Sequence, residues 1–303
     1  MHNSFTISNQ MNKIIKKIIE IRNYLIYKRF DFLSKIDKSK LRVNEQADFV
    51  VSIASYPKRI HLLPSVFQAL NNQTAVPKKW ILVLSEEEWP ELQLPKPLNE
   101  LIRRGLEIVW VRNNSFAVKK LVPVMRKYPK LGVITLDDDK IYHKSLIEGL
   151  INFTIENPNT IVGYMGRSMV RKNNQLKMLY REKGAANIST PSAQVYLIGW
   201  GGIYYPAGSL HENVFSEEGI HRIVPGRGSD IWFWAAALAH NTHQKCLGLP
   251  KKYNLGIPIP QNKKTEPKDT PGLEVMEQRF QDTIDFFNIR EKLNSTLPNT
   301  NIE

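Results

Sequence analysis

The sequence predicts an α/β fold of three layers, in which a mostly parallel central sheet lies between helices. The first observation is the order of the segments, because apolar β-type runs alternate with amphipathic helical runs as β-α-β-α-β-α-β. The second is the length, since 303 residues suffice for one large α/β domain or two small ones. The third is the composition, because 42% hydrophobic residues allow a sizeable core to be buried.

A basic segment at residues 11–40 precedes this domain. Its apolar residues recur at helical spacing, above all Ile14, Ile18, Ile21 and Leu25. Its basic residues include Lys13, Lys16, Lys17, Arg22, Lys28 and Arg29. We predict a basic amphipathic helix, or two helices with the second around residues 30–36. Such a helix either lies on an anionic membrane surface or packs its isoleucine stripe on the domain behind it.

The first predicted strand of the domain covers residues 49–55. It ends at Tyr56, and Lys58 and Arg59 follow closely. Further elements alternate up to residue 128, with predicted helices at 61–72, 98–104 and 118–128 and predicted strands at 80–84 and 106–111. The proline-rich segment 86–97 is predicted to be a loop. This alternation is typical of parallel strands joined by crossover helices.

Three adjacent carboxylates follow the fourth predicted strand, at 132–136. Asp137, Asp138 and Asp139 come where this apolar strand leaves the sheet, and open α/β sheets bind ligands just beyond the carboxyl ends of strands. Neighbouring acids repel one another unless a positive charge lies between them. A divalent cation that also bridges phosphates is one candidate for that charge. The alternative is an acidic turn whose Asp residues cap the next helix.

The second half of the chain has less regular spacing. We predict helices at 145–156, 229–240 and 274–293, and strands at 161–165, 195–206 and 245–249. The segments 167–190 and 251–271 are predicted to be polar, irregular loops, and the tail 294–303 is predicted to be disordered. Because residues 167–183 are rich in Arg and Lys, the first of these loops is either a solvated, mobile loop or a flap over an anionic ligand.

Two features of this half carry candidate site residues. The aromatic strand at 195–206 contains Gly199, Gly201 and Gly202, which let a ligand or another backbone approach closely. Its aromatic rings could offer stacking faces, although aromatic residues in strands more often belong to the core. Asp230 opens an almost wholly apolar helix, where it acts as a helix cap, as a general base, or as both.

Charge and cysteine content narrow the classes of function. Lys and Arg total 42 against 29 Asp and Glu, and the formal charge of +13 favours nucleotide phosphates, an acidic membrane face or nucleic acid as partners. Cys246 is the one cysteine, so no intramolecular disulfide can form, as is typical of a reducing cytoplasm. We expect it to be a small buried hydrophobe. The N-terminus does not resemble a secretory signal, and no window of about 18 uncharged apolar residues predicts a transmembrane helix.

Five motifs follow one another between Asp48 and Leu249. They are Ser52-Ile-Ala-Ser-Tyr-Pro-Lys-Arg-Ile60, Val118-Lys-Lys-Leu-Val-Pro123, Thr135-Leu-Asp-Asp-Asp-Lys-Ile-Tyr142, Gly201-Gly-Ile-Tyr-Tyr-Pro206 and Ser229-Asp-Ile-Trp232. In order and spacing they resemble those of bacterial glycosyltransferases of the GT-A fold, close to the family 2 type. The acid triplet followed by Ile-Tyr resembles the DXD motif of such enzymes and is the most specific of the five.

The resemblance implies a GT-A-like fold and a nucleotide site around the triplet. Asp139 would bind a divalent metal, Mn²⁺ or Mg²⁺, with Asp137 close by, and Asp138 or Asp137 would touch the ribose. The remaining residues at the nucleotide donor would be Ser55, Tyr56, Arg59 and Lys120. The third metal ligand of such enzymes is often a late histidine, for which this chain offers His221, His240 and His243.

The acceptor side is implied by the last two motifs. Asp230 would be the catalytic base, and Gly201 and Gly202 would lie near the sugar and acceptor. A single base fits an inverting reaction, in which it deprotonates an acceptor hydroxyl that attacks the anomeric carbon in line. The metal and a lysine would then stabilise the leaving nucleotide diphosphate.

The resemblance therefore implies a metal-dependent glycosyltransferase with a nucleotide-diphosphate sugar, a UDP-sugar by preference, as donor. Its acceptor would be a glycan or lipid-linked glycan in bacterial surface polysaccharide or lipopolysaccharide assembly. The protein would be cytoplasmic, and peripheral at the inner membrane face if residues 11–40 bind lipid. We predict residues 1–46 to be the helical segment, 47–293 the catalytic domain and 294–303 the tail.

Two other classes of function remain open to the sequence. Phosphatases and phosphotransferases of the haloacid dehalogenase type also place Asp-x-Asp after an apolar strand, although Lys140 and Ile141 stand where that class has a small residue and Thr. A non-catalytic anion-binding or nucleic-acid-binding protein would explain the positive charge. The basic residues are spread over three segments without interleaved aromatics, which is not typical of a nucleic-acid site.

Overall fold

The computed structural model describes residues 2–172, 175–178, 185–261 and 271–297. Within them the helices are α1 (His2–Ile36), α2 (Leu63–Leu70), α3 (Lys96–Arg103), α4 (Val122–Lys127), α5 (Leu146–Glu156), α6 (Glu217–Ile223), α7 (Ser229–Ala239), α8 (Leu273–Phe286) and α9 (Arg290–Thr296). The strands are β1 (Phe49–Ala54), β2 (Trp80–Ser85), β3 (Glu107–Val111), β4 (Gly132–Leu136), β5 (Lys140–Tyr142), β6 (Ile161–Gly163), β7 (Gly166–Lys172), β8 (Gln175–Met178), β9 (Val195–Leu197), β10 (Ile203–Tyr205), β11 (Gln244–Cys246) and β12 (Gly256–Pro258).

A seven-stranded sheet forms the middle of the domain, in the order β11-β6-β10-β4-β1-β2-β3. Among these described strands, β10 runs antiparallel to its neighbours β4 and β6, and the other pairs are parallel. β1 lies between β2 and β4, so the strand order changes direction there. Such a switch point leaves a crevice at the carboxyl ends of β1 and β4.

The sheet is buried on both faces, and alternate residues of each strand serve different cores. Val50, Ile81 and Val133 belong to the core that contains α4, α6, α7 and α8. The residues that follow them, such as Val51 and Leu82, belong to the core that contains α2, α3 and α5. Helices therefore cover both faces, and the predicted three-layer α/β architecture is confirmed.

α7 is a deeply buried helix. Every residue from Ile231 to Leu238 is buried, and Trp232 packs its ring against Phe286 and Phe287. The Trp232 Nε1–H donates a hydrogen bond to the Val214 carbonyl at 3.0 Å. Because a helix packed on all sides cannot shift easily, α7 is a rigid support for the residues at its first turn.

The prediction of an irregular loop at 167–190 is wrong for the first part of that segment. β7 pairs antiparallel with both β8 and β9 in a three-stranded sheet. Met169, Val170 and Leu176 are buried, and these few apolar residues hold the hairpin in place although basic residues dominate its composition. Residues 173–174 and 179–184 of the predicted flap, which include Arg181 and Lys183, lie outside the described residues, and Ala185–Asn187 form a 3₁₀ turn.

Three helix predictions also differ in detail. The helix predicted at 118–128 is a 3₁₀ turn followed by α4, because Pro123 has no N–H to continue the first turn and instead opens the second. The helix predicted at 274–293 divides into α8 and α9 at Asn288, whose φ is +51°. Of the two alternatives for residues 11–40, the structure has one continuous helix, α1, which begins at His2, before the predicted segment.

A small two-stranded sheet was also not predicted from the sequence. β5 pairs antiparallel with β12, inside the segment 251–271 that was predicted to be a loop. The predicted disordered tail begins at Asn294, whereas α9 continues to Thr296 and the residues after Leu297 are outside the described part. Cys246 is buried as expected. None of the described helices combines the length and the hydropathy that crossing a bilayer requires.

The packing of α7 predicts a large loss of stability for Trp232→Ala. Removing a fully buried indole leaves a cavity between α7 and α8, and we expect the free energy of unfolding to fall by about 3–5 kcal/mol. Ile155→Ala is a suitable control, since that side chain on α5 is 73% exposed. Chemical denaturation of both variants checks this, and equal midpoints would contradict the packing of α7.

Candidate active site

The acid triplet meets the end of β1 because β1 and β4 are parallel neighbours. Their register pairs Ile53 with Leu136, so the two strands end side by side at the same edge of the sheet. The Ser55 hydroxyl donates to Asp138 Oδ2 at 2.6 Å, and Arg59 Nη1 lies 3.0 Å from Asp138 Oδ1. Asp138 is thus held between a hydroxyl and a guanidinium from the segment after β1.

The outer two acids have partners of their own. Lys120 Nζ donates to Asp137 Oδ1 at 3.1 Å, and Arg59 Nη1 lies 3.1 Å from Asp139 Oδ2. The Asp137 backbone N–H donates to the Tyr142 hydroxyl at 2.9 Å, which fixes the chain where it leaves β4. The Ile-Tyr that follows the triplet is therefore part of the same structure, since Tyr142 lies on the missed strand β5.

Asp230 approaches the triplet from the first turn of α7. The Gly199 N–H donates to Asp230 Oδ2 at 3.0 Å. A Cβ on Gly199 would lie 3.0 Å from both Asp230 Oδ1 and Lys120 Nζ, so these two groups face each other across this glycine. Lys120 consequently lies between Asp137 and Asp230, and it links the end of β4 to α7.

Burial and the charge of Lys120 determine the directions of the pKa shifts in this cluster. Burial alone would raise the pKa of Asp137, but Lys120 and Lys140 outweigh it and hold that pKa below its usual value. Burial raises the pKa of Asp230, and Lys120 opposes that rise only in part. The pKa of Lys120 itself is raised, because the two carboxylates outweigh its burial. The cluster therefore holds one firmly ionised acid and one acid that accepts a proton more readily.

The pKa of Asp138 is shifted in the opposite direction to that of Asp137. Burial raises its pKa, and this effect exceeds the opposing effects of the Ser55 hydroxyl and the Arg59 guanidinium. The Arg59 guanidinium has a raised pKa, because Asp138 and Asp139 outweigh its own burial. Arg59 therefore remains a fixed cation at the end of β1.

A cavity of about 610 Å³ opens beside these groups. All six predicted donor residues line it, namely Ser55, Tyr56, Arg59, Lys120, Asp137 and Asp138. Asp230 is next to the lining residue Lys120. The sequence motifs that are far apart along the chain thus come together at one edge of the sheet, although their individual roles stay predictions.

Several lining residues were missed by sequence reasoning. Phe116 lines the cavity with a half-exposed ring, and its φ of +50° is unusual for a bulky residue. Its N–H donates to Asn114 Oδ1 at 3.0 Å, and Asn114 Nδ2 donates to Glu88 Oε1 at 3.0 Å. Lys119 pairs with Glu88, whereas its neighbour Lys120 pairs with Asp137. The polar run Asn-Asn-Ser at 113–115 was the available signal, since Asn side chains favour such turns.

Gly201 and Gly202 have close packing around them. A Cβ on Gly201 would lie 2.9 Å from Met165 Cγ, and Gly202 has a φ of +83° and would place its Cβ 3.0 Å from Leu136 Cδ2. Both positions are buried and require glycine for packing or backbone reasons. Their predicted place on the acceptor side stays a prediction.

Two of the three histidines suggested as metal ligands lie far from the triplet. β11 runs in the same direction as β4, and His243 precedes it, at the opposite edge of the sheet. His240 follows the last residue of α7, about 15 Å along the helix from Asp230 at 1.5 Å per residue. His221 is exposed on α6.

The acids and a nearby glutamine supply oxygen donors that fit a divalent cation. The Lys140 ammonium lies 3.9 Å from Asp137 Oδ2 and 3.2 Å from Asp139 Oδ1, so these two carboxylates already share one cation. Gln261 Nε2 donates to Asp139 Oδ2 at 2.8 Å, and its Oε1 is buried without a hydrogen-bond partner. That oxygen is a hard donor of the kind such cations prefer. Within the described ranges, no group of three or more His, Cys, Asp or Glu side chains is arranged to hold a metal ion.

Known proteins relate to this chain through structure alone. The sequence matches no protein-family model and no curated protein. The fold is similar to S. aureus TarS 1–349 in complex with UDP-GlcNAc, with a TM-score of 0.51 and 10% sequence identity over 80% of this chain and 66% of that one.

Two further solved structures are similar at lower scores. A second structure of S. aureus TarS 1–349 has a TM-score of 0.44 and 12% identity, over 68% of this chain and 59% of that one. CMP:2-keto-3-deoxy-manno-octonic acid synthetase complexed with CTP has a TM-score of 0.43 and 12% identity, over 67% and 90%. This chain thus spans less than two thirds of the length of the TarS structures.

The position of Lys120 predicts a pH-dependent loss of stability in Lys120→Met. Without the ammonium, Asp137 and Asp230 lose their shared partner, their pKa values rise, and unfolding becomes easier by about 3–5 kcal/mol near neutral pH. A carboxyl group whose pKa is raised in the folded state stabilises that state at low pH. This stabilisation is lost as the pH rises through the folded-state pKa. The deficit should therefore shrink on acidification.

Thermal unfolding of the wild-type protein and of this variant between pH 5 and 7 measures the effect. Lys127→Met is the matched control, because Lys127 is exposed and pairs with Glu107 at the surface, where an ion pair contributes about 0–1 kcal/mol. A deficit that is independent of pH would show that Lys120 does not separate the two carboxylates.

The strand topology, the helical layers on both faces of the sheet and the structural similarity to TarS agree with one another. The chain therefore has a GT-A-like three-layer α/β fold.

Proposed function

We propose that this protein transfers a sugar from a nucleotide-diphosphate donor to a hydroxyl group of a glycan or glycolipid acceptor, with inversion at the anomeric carbon. One observation carries the proposal: Lys120 joins Asp137 at the end of β4 to Asp230 on α7, beside a cavity. A cation that can stabilise the leaving group and a separate carboxylate that can deprotonate the acceptor are thus adjacent. That S. aureus TarS binds UDP-GlcNAc on a similar fold supports a UDP-sugar as donor.

The cavity suits a nucleotide diphosphate. Its volume of about 610 Å³ lies in the range of small-molecule sites. The cations that line it are Lys58, Arg59, Lys119, Lys120 and Arg227. Cations around a diphosphate neutralise its charge, and Tyr56 and Phe116 add aromatic surface on which a planar base can stack.

Asp137 and Asp139 would hold a divalent cation, with Gln261 Oε1 as a further donor. When bound, Mn²⁺ or Mg²⁺ would neutralise the negative charge of the leaving diphosphate. Lys140 would give up its place between the two carboxylates. Lys120 would stay paired with Asp137 and would face the diphosphate oxygen that leaves the sugar.

Asp230 is the proposed base. Its pKa is raised by burial, and the Gly199 N–H holds one of its oxygens in a fixed direction. Asp230 would take the proton of the acceptor hydroxyl while that oxygen forms a bond to the anomeric carbon. The bond between that carbon and the diphosphate oxygen breaks, and the electron pair leaves with the nucleotide diphosphate.

The proposed donor site predicts a metal-dependent thermal shift. With UDP and Mn²⁺ about a hundredfold above the dissociation constant, the unfolding midpoint should rise by about 5–10 °C, because the ligand binds only the folded state. Asp139→Ala should abolish the shift, whereas Asp285→Ala, which removes an exposed acid on α8, should retain it. No shift with UDP or any other nucleotide diphosphate would refute the proposed donor site.

The proposed base predicts that Asp230→Asn lowers turnover by about a hundredfold or more while the nucleotide shift remains. Release of nucleotide diphosphate from the donor measures turnover, with water or an added glycan as acceptor. In the wild-type protein, the ionised base is lost as the pH falls through its raised pKa. The acid limb of the rate should therefore lie above the pH expected of an ordinary Asp, and unimpaired turnover in the variant would exclude this role.

A further inference from the structure

α1 presents two different sides to its surroundings. Ile26, Tyr27, Phe30 and Leu33 face the domain; the first three pack against the core below α2, and Ser34 beside them is buried. This half of the helix is therefore anchored. The sequence left membrane binding and packing as alternatives, and the anchored side accounts for only part of the apolar surface.

A second group of apolar side chains is exposed. We name it the outer stripe: Ile14, Ile18, Ile21, Leu25, Phe32 and Ile36. These six side chains are between 53% and 61% exposed. At about 100° of rotation per residue, they lie within an arc of about 60°, on the opposite side of α1 from Phe30. Because the anchored side is already in place, α1 cannot turn to bury the outer stripe on its own domain.

Basic residues flank the outer stripe on both of its long edges. By the same helical geometry, Lys17, Lys28 and Lys35 lie along one edge, and Arg22 and Arg29 lie along the other. The two acids of this part of the helix, Glu20 and Asp31, lie further round, and Asp31 is paired with Lys35 at 2.9 Å. The border of the stripe is therefore cationic.

We propose that the outer stripe docks the protein on the surface of an anionic lipid bilayer. An apolar stripe bordered by Lys and Arg suits this surface, because the apolar residues enter the acyl boundary while the basic groups reach the anionic headgroups. A second copy of this chain is a poorer partner, since pairing two stripes would bring their cationic borders together in a chain of charge +13. The proposal does not depend on the transfer reaction.

Co-flotation with lipid vesicles tests the proposal on the full-length chain. Vesicles of phosphatidylcholine mixed with phosphatidylglycerol should carry the wild-type protein, and vesicles of phosphatidylcholine alone should carry much less. The variant Ile18→Ser with Leu25→Ser should bind the anionic vesicles about tenfold or more weakly. Lys28→Gln with Arg29→Gln should weaken binding and reduce its sensitivity to salt.

Two controls keep the result interpretable. Ile155→Ser removes an apolar side chain from α5 that is more exposed than Ile18 or Leu25, and it should leave vesicle binding unchanged. The unfolding midpoints of all variants should match the wild-type value, because every substituted side chain is exposed. Equal vesicle binding by the wild-type protein and the Ile18→Ser, Leu25→Ser variant would overturn the proposal. So would a concentration-dependent dimer that this variant abolishes, in a protein that binds no vesicles.

Discussion

The separation of Asp137 from Asp230 by one ammonium group is the interaction on which the site depends. Each carboxylate comes from a different layer, one from the end of β4 and one from α7, and Lys120 comes from the turn before α4. Without a cation, two part-buried carboxylates would repel each other and protonate. Asp137, Lys120 and Asp230 therefore connect the carboxyl end of β4 to α7 by electrostatic attraction.

Hydrophobic packing decides where that charge can lie. β4 is in the middle of the sheet, with helices on both faces, so the triplet leaves a strand that cannot move. α7 is buried along its length and fixes Asp230 from the other side. Rigid elements of this kind hold polar groups in position before a ligand arrives, which is the condition for electrostatic stabilisation of a reaction.

In the arrangement proposed here, the N-terminal helix would serve attachment and the edge of the sheet would serve catalysis. One side of α1 belongs to the domain through Tyr27 and Phe30, and the other side carries an exposed apolar stripe with a basic border. Attachment to a surface through this helix would leave the cavity and the sheet unchanged. An acceptor carried on a lipid would then meet a protein already held at the same surface.

The sequence by itself determined the parts of this protein that depend on local order. The apolar runs of β1, β2 and β4 and the three Asp residues after β4 could be predicted, because buried strands leave a short-range pattern of apolar residues in the sequence. It also indicated at which strand ends the candidate site would lie, and it brought Ser55, Arg59, Lys120 and Asp230 into one hypothesis. It failed at the β7–β8 hairpin, where basic residues outnumber the few buried ones that hold the strands.

Only the tertiary structure decided which charges are partners. Lys119 and Lys120 are adjacent in sequence, yet one pairs with Glu88 and the other with Asp137, because a 3₁₀ turn sends their side chains in different directions. Gln261 reaches Asp139 from 122 residues away, through β12. Such contacts join distant segments and leave no periodic signal, so the sequence determined the strands and the acids, and the packing of the chain decided what surrounds them.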